Sequence, residues 1–204
     1  MAETAHPVHK LIWKHFHFSG NQRPIPWGSS MRYTRDRLGK LFADAGYTKG
    51  AEIGVRKGKF SRVLLKANPD LHILCVDPWT PYGGRKYTKE KQDYIFEVCQ
   101  ENLKPYADRV TYIRKTSMEA VKDIDKEFLD FVFIDGNHLF DFAMEDIIHW
   151  SRRVRSGGIV SIHDFHYGSN VEVVEAVMAY TRANHIDPWY VTKESQPTAY
   201  WVKP

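Results

Sequence analysis

The sequence is short of apolar runs. Stretches such as Ile73-Leu74-Cys75-Val76 and Phe131-Val132-Phe133-Ile134 stop after a few residues, whereas a membrane-spanning helix needs about 20. The N-terminal string MAETAHPVHKLIWKHF has no apolar stretch followed by a small-residue cleavage site, so no signal peptide is expected. Cysteine is scarce. Cys75 and Cys99 are the whole complement, too few for a disulfide framework or a cysteine-based zinc site. Together these absences lead us to expect a cytoplasmic, reducing setting and no membrane partner. Internal repeats and low-complexity tracts are also missing. With 43% hydrophobic and 26% charged residues, the chain has enough apolar material for a packed core, which excludes a wholly disordered polymer. Its 204 residues suit one domain.

The net charge is only +4, but it is uneven. Residues 1–50 hold eight Lys/Arg against three Asp/Glu, together with four histidines, and the remainder is close to neutral. This surplus reads as a solvated tail and helix face, or as a segment that meets an anionic ligand. No nucleic-acid-binding motif accompanies it, so nucleic acid is not an expected partner. Residues 1–28 mix Pro7, Pro24, Pro26, Gly20 and Gly28 with Trp13, Phe16, Phe18 and Trp27. They read as an irregular arm that packs on something, because so many free aromatics would be costly to hydrate. A helix carrying Leu38, Leu41, Phe42 and Ala45 is expected after Ser29-Ser30.

Strand and helix patterns then alternate. Strands are expected at Ala51–Val55, Leu71–Val76, Val110–Ile113, Leu129–Ile134 and Gly158–Ile162. Helices are expected at Phe60–Ala67, at Lys89–Leu103, after the capping box Thr116–Glu119, through Leu139, Ala143, Ile147, Trp150 and Val154, and after a second capping box, Ser169–Glu172. The runs Trp189–Lys193 and Thr198–Val202 are too close for a crossover helix and must form an antiparallel hairpin. The fold class is therefore α/β, with a mostly parallel Rossmann-like sheet, a C-terminal hairpin and helices on both faces. In such sheets ligands sit beyond the carboxyl ends of the strands.

Residues with useful chemistry stand at those ends. Glu52-Ile53-Gly54-Val55-Arg56-Lys57-Gly58 places two glycines in a strand-to-helix turn, where the helix N-terminus favours a negative group. It is not a P-loop, because three residues separate the glycines and Phe60 stands where Ser or Thr must bind magnesium. Arg56 replaces the middle glycine of the dinucleotide fingerprint, which weighs against a nicotinamide-dependent oxidoreductase. What remains, E-x-G-x-x-x-G, suits S-adenosylmethionine or a plain structural turn. Asp77, 25 residues after Glu52, can take both hydroxyls of a ribose or cap the turn before Pro78. Asp135 and Asp164, with His138, His163 and His166 nearby, follow the last two strands of the parallel series and suggest a reaction centre. His138 and His163 are the candidate bases and His166 the third, because imidazole titrates near neutrality; each could instead be a hydrogen-bonded structural residue.

The strings AEIGVRKGKFS, ILCVDPW, FLDFVFIDGNHLFDFAMEDIIHW and SGGIVSIHDF, in this order, resemble class I S-adenosylmethionine-dependent methyltransferases. They are most similar to the small bacterial and phage-type group that includes macrolide sugar O-methyltransferases and cephalosporin-biosynthesis relatives. The resemblance spans roughly residues 46–204, a cofactor-binding methyltransferase domain preceded by an N-terminal arm and helix, 1–45, that resembles nothing we can place. It implies a seven-stranded sheet with the last hairpin at one edge. Glu52, Gly54 and Gly58 would surround the methionine part of the cofactor, with Ser61 beside them, and Asp77 would hold the ribose. Ser117 and Met118 fall where the family contacts adenine, although the acid usual near that contact is displaced to Glu119. Asp135 would lie beside the cofactor. Metal-dependent relatives bind Mg²⁺ through acids equivalent to Asp135 and Asp164, but Phe165 replaces a further acid here. The implied activity is O-methylation of a small hydroxylated molecule, with His138, His163 and Asp164 as catalytic candidates. The arm would be a lid, a fixed element or a homodimer contact. A cofactor-binding module without catalysis is the alternative.

Overall fold

The computed structural model describes residues 6–16, 34–82 and 87–204. Phe18, Trp27, Pro24, Pro26, Gly20, Gly28 and the expected helix start at Ser29-Ser30 lie outside the described residues. Of the arm, Pro7–Phe16 forms α1, a correction to the irregular reading. Proline fits a first helical position, and Val8, Ile12 and Phe16 recur every fourth residue on its buried face. Trp13 is half exposed, and its ring masks that period in the sequence.

The chain continues through α2 (Asp36–Asp44), β1 (Lys49–Ile53), α3 (Lys59–Ala67), β2 (His72–Val76), α4 (Lys89–Leu103), β3 (Val110–Ile113), α5 (Ser117–Ala120), β4 (Leu129–Ile134), α6 (Phe140–Ser151), β5 (Val154–Ile162), α7 (Val173–Ala183), β6 (Trp189–Val191) and β7 (Ala199–Val202). The Thr116–Glu119 capping box is present at α5. The second expected capping box is absent. α7 starts at Val173, and the Glu172 carboxylate instead accepts from the Phe140 N–H at the start of α6. Val154 continues the four-three-four apolar period of α6, yet it opens β5, because the chain turns at Arg152.

The seven strands are ordered β3-β2-β1-β4-β5-β7-β6. The first five are mutually parallel, while β7 runs antiparallel between β5 and β6. β1 is flanked by β2 on one side and β4 on the other, so the chain reverses direction across the sheet there and opens a crevice at the carboxyl ends. Alternation along the strands divides the core. Phe131 and Phe133 join Val8, Ile12, Leu38, Phe42 and Leu64 on the face covered by α1 to α4. Val132 and Ile134 join Ile147, Trp150, Val173 and Val177 on the face covered by α5 to α7. Each fully buried aliphatic side chain contributes roughly 1.5–3 kcal/mol, so the sheet is held from both sides.

Backbone bonds continue the ladder past the strand ends. The Gly54 N–H donates to Val76 O, Asp77 N–H to Ile113 O, Asp135 N–H to Ile53 O and His163 N–H to Ile134 O. This fixes Asp77, Gly54, Asp135 and His163 in a row along one edge of the crevice.

Candidate active site

On β1, Glu52 points into the α3 side and is 2% exposed. The Ser61 hydroxyl donates to Glu52 Oε2 and lies 3.4 Å from Cys75 Sγ. Burial pushes the Glu52 carboxyl up to about 8, with the nearby Asp135 charge reinforcing it against the Ser61 hydrogen bond. Ser61 is itself fully buried, so its hydroxyl serves Glu52.

The glycines of the β1–α3 turn are required by the protein as well. Gly54 has φ +89°, and a Cβ there would overlap the Asp135 carbonyl and approach Gly136 N to 2.8 Å. Gly58 has φ +67°, and a Cβ would come within 2.9 Å of Cys99 Sγ and Leu103. The first glycine allows β1 and β4 to end side by side, and the second lets α3 start against α4.

Asp77 uses both oxygens on backbone. Oδ2 accepts from Arg56 N–H (2.8 Å) and Oδ1 from Trp79 N–H (2.9 Å). The Trp79 indole N–H donates back to Arg56 O (2.9 Å). The turn-capping reading of Asp77 is therefore satisfied, yet a carboxylate has about four lone-pair sites and these bonds use two. Burial raises its pKa. On the neighbouring side, Ser117 donates to Asp146 Oδ1 and accepts from the Trp150 indole N–H (2.7 Å). Asp146 is 4% exposed, and burial raises its carboxyl to about 6. Met118 packs against the α5–α7 core. Glu119 is exposed and spends its carboxylate on Thr116.

The tips of β4 and β5 bring the expected acids and histidines together. His138 Nε2 lies 3.1 Å from Asp164 Oδ2 and 3.5 Å from Asp135 Oδ1. His163 Nδ1 lies 3.3 Å from Asp135 Oδ1 and 3.4 Å from Asp164 Oδ2, and His166 Nε2 is 3.3 Å from Asp164 Oδ1. His163 and Asp164 are each 5% exposed. These are charge contacts rather than aligned hydrogen bonds, for His138 Nε2, His163 Nδ1 and Asp164 Oδ1 are buried without a hydrogen-bond partner among the described residues. The Asp135 carboxylate beside His138 raises its pKa. Burial acts to lower His163, but the two carboxylates outweigh it and raise the ring to about 9. Burial acts to raise Asp135, and the two histidines outweigh it and hold the acid down.

One ligand atom from each of Asp135, His138 and Asp164 lies within 4.8 Å of the others. The buried, unpartnered nitrogen and oxygen at this point fit a divalent cation. Two carboxylates and an imidazole suit a first-row transition metal as well as a hard ion such as Mg²⁺, and Phe165 adds no oxygen.

Three residues with left-handed backbone, Arg56 (φ +55°), Trp79 (+44°) and Asp164 (+57°), close the ends of β1, β2 and β5. Each such residue costs about 1–3 kcal/mol and persists where its surroundings dictate the turn. A shallow cavity of about 640 Å³ beside α7 and β6, lined partly by Met178, Arg182 and Trp189, contains none of these residues.

Sequence reasoning missed Asp146, Glu172, Glu194 and Arg35. Asp146 sits on the buried face of α6, and its place in that helix's apolar period was the available signal. Glu172 joins the loops after β4 and β5, accepting from Phe140 N–H while its own N–H donates to His138 O (2.8 Å). Glu194 accepts from the Arg35 N–H (2.9 Å) across 159 residues, a pairing with no local trace.

No curated protein matches the chain. Among solved structures, an O-methyltransferase from Bacillus cereus in complex with SAH aligns with TM-score 0.61 and 13% identity, covering 100% of this chain and 93% of that one. A cofactor-bound protein from MTB aligns with TM-score 0.58 and 16% identity over 97% of this chain and 90% of its own. An O-methyltransferase family protein from Burkholderia thailandensis aligns with TM-score 0.57 and 14% identity over 82% and 57%. At these identities the likeness establishes the fold. A family profile described as a methyltransferase domain matches residues 51–165, more than half of the chain. On that match the chain belongs to the class I S-adenosylmethionine-dependent methyltransferases.

Proposed function

We propose that the protein transfers a methyl group from S-adenosylmethionine to a hydroxyl of a small acceptor, a sugar or another hydroxylated metabolite. The observation that carries this reading is the buried Asp135–His138–His163–Asp164 cluster, one strand away from the Gly54 turn. Titratable groups of that kind are what a hydroxyl nucleophile needs, because an alcohol is a poor nucleophile near neutrality.

The cofactor supplies a methyl carbon already activated by its sulfonium. Glu52, Gly54 and Gly58 would flank its methionine part, Asp77 would use its remaining lone pairs on the ribose hydroxyls, and Met118 with the Ser117–Asp146 edge would meet the adenine. His138 is the better base of the two main candidates, since its side chain is 33% exposed against 6% for His163. The ring takes the acceptor proton on the nitrogen turned away from the acids, and Asp135 and Asp164, 3.5 and 3.1 Å from Nε2, stabilise the imidazolium that forms. His163, held protonated between the same carboxylates, fixes their orientation and balances their charge. Because His138 is raised, its basic form grows as pH increases, which places the optimum on the alkaline side of 6.5.

A second reading has a specific observation in its favour, the three converging ligand atoms of Asp135, His138 and Asp164. A cation held there would lower the pKa of the acceptor hydroxyl. The packing of Val8, Ile12 and Phe16 into the core supports a fixed role for the described part of segment 1–45, with residues 46–204 as the catalytic domain.

The test is transfer of labelled methyl from S-adenosylmethionine to a panel of sugars and phenols, before and after exhaustive chelation. Label on acceptor oxygen is expected. Label only on nitrogen or carbon, or saturable cofactor binding with no transfer to any acceptor, overturns the reading. Loss of transfer on chelation, restored by a divalent metal, selects the cation form of the site.

A further inference from the structure

Arg35 precedes α2 on the side of the sheet where β1 and β4 end. Two contacts fix it. Its N–H donates to Glu194, which also accepts from the Thr192 hydroxyl (2.8 Å) at the end of β6. Its guanidinium lies over the buried Phe60 ring, Cζ 5.3 Å from the centroid. Phe60 in turn packs on Phe133 near the end of β4, centroids 4.1 Å apart, which sets the guanidinium beside the ends of β1 and β4, where its charge acts on Glu52, Asp135 and His163.

Among the described residues Arg35 makes no ion pair, and its Nη1 is buried with no hydrogen-bond partner. Neither acid within reach is free to serve it. Glu52 is sealed beneath the crevice by Ser61, and Asp135 is held between two histidines. A buried guanidinium N–H without a partner is costly, and its planar fork matches a carboxylate or phosphate. The basic surplus of the N-terminal quarter thus places at least one charge inside the site.

We propose that Arg35 receives a carboxylate or phosphate carried by a ligand bound across the tips of β1 and β4. Two sources share that chemistry, the amino-acid carboxylate of the cofactor and an acidic group on the acceptor. The inference rests on the reading that the β1 and β2 tips hold the cofactor.

Calorimetry on the full chain separates the cases. S-adenosylhomocysteine and 5′-methylthioadenosine, which lacks the amino-acid end, are titrated into wild type, Arg35→Gln, Arg35→Lys and Asp77→Asn. Inorganic phosphate is titrated into protein already saturated with S-adenosylhomocysteine. If the cofactor is the source, Arg35→Gln weakens S-adenosylhomocysteine about 10- to 100-fold and leaves methylthioadenosine unchanged. If the acceptor is the source, both nucleosides bind as before and phosphate binding is lost. In either case Arg35→Lys recovers part of the affinity. Wild-type behaviour of Arg35→Gln toward all three ligands overturns the proposal. So does an equal loss of both nucleosides, because Arg35 would then only support the fold. Undiminished S-adenosylhomocysteine binding by Asp77→Asn overturns the cofactor reading instead, independently of Arg35.

Discussion

The tips of β1 and β2 and the tips of β4 and β5 lie on one edge of one sheet, yet they treat their polar groups differently. At β1 and β2, Asp77 accepts two aligned backbone hydrogen bonds, Glu52 accepts from Ser61, and the spaces beside Gly54 and Gly58 are filled by neighbouring protein atoms. At β4 and β5, His138, His163, Asp135 and Asp164 crowd together at 3.1–3.5 Å, with buried atoms that have no aligned partner. The first region is built as a scaffold whose residual lone pairs can greet a ligand. The second stores polar groups that the fold leaves incompletely satisfied, and it is there that chemistry has something to gain from a proton, a cation or an acceptor.

The difference can be broken by mutation. Its strongest consequence is that His138→Asn or Asp164→Asn should lower turnover about 10²- to 10⁴-fold while leaving S-adenosylhomocysteine affinity near wild type. Steady-state kinetics beside calorimetry checks this, and full activity in both variants would remove the β4–β5 tips from the reaction. Next in size, Gly54→Ala should cost about 3 kcal/mol of stability in denaturant unfolding, because the methyl group meets the Asp135 backbone at a positive φ. A near-neutral result would show that the strand tips can separate. Asp77→Asn should weaken S-adenosylhomocysteine about tenfold, since the amide keeps one acceptor and loses the charge.

A further consequence concerns pH. Folding favours the protonated form of Glu52, whose carboxyl is raised to about 8 from an ordinary value of 4.5. That contribution is complete below about pH 4.5 and is lost as pH rises through about 8. Thermal melts should therefore show Glu52→Gln gaining progressively on wild type between pH 5 and 8. A constant difference would mean that Glu52 ionises freely in the fold.

Most strands were legible, because short β-branched and aromatic runs between turn residues have few alternatives. Val110–Ile113 and Leu129–Ile134 match their expected limits. The failures fall where two local signals compete. Ser169–Glu172 has the spacing of a capping box, but the Glu172 side chain finds a better-placed N–H at the start of α6. Val154 fits a helical period and a strand equally, and pairing with Leu129 decides for the strand. In the site, Asp77, Asp135, His138, His163 and Asp164 could be picked out because each lies within four residues of the end of an apolar run. Arg35 could not, because the residues it meets, Phe60 and Glu194, are far away in the chain, and Asp146 offered only its place in the apolar period of α6.

By itself, the sequence determined the alternation of strands and helices, the placing of acids and histidines at strand ends, and the absence of any cysteine framework, since these depend on residue type and near-neighbour spacing. Only the tertiary structure decided that β4 lies beside β1, that β7 inserts between β5 and β6, and that the Arg35 guanidinium lies over Phe60. Those outcomes depend on which faces bury against each other between residues tens of positions apart, 81 for the pairing of β1 with β4, and no local pattern carries that information.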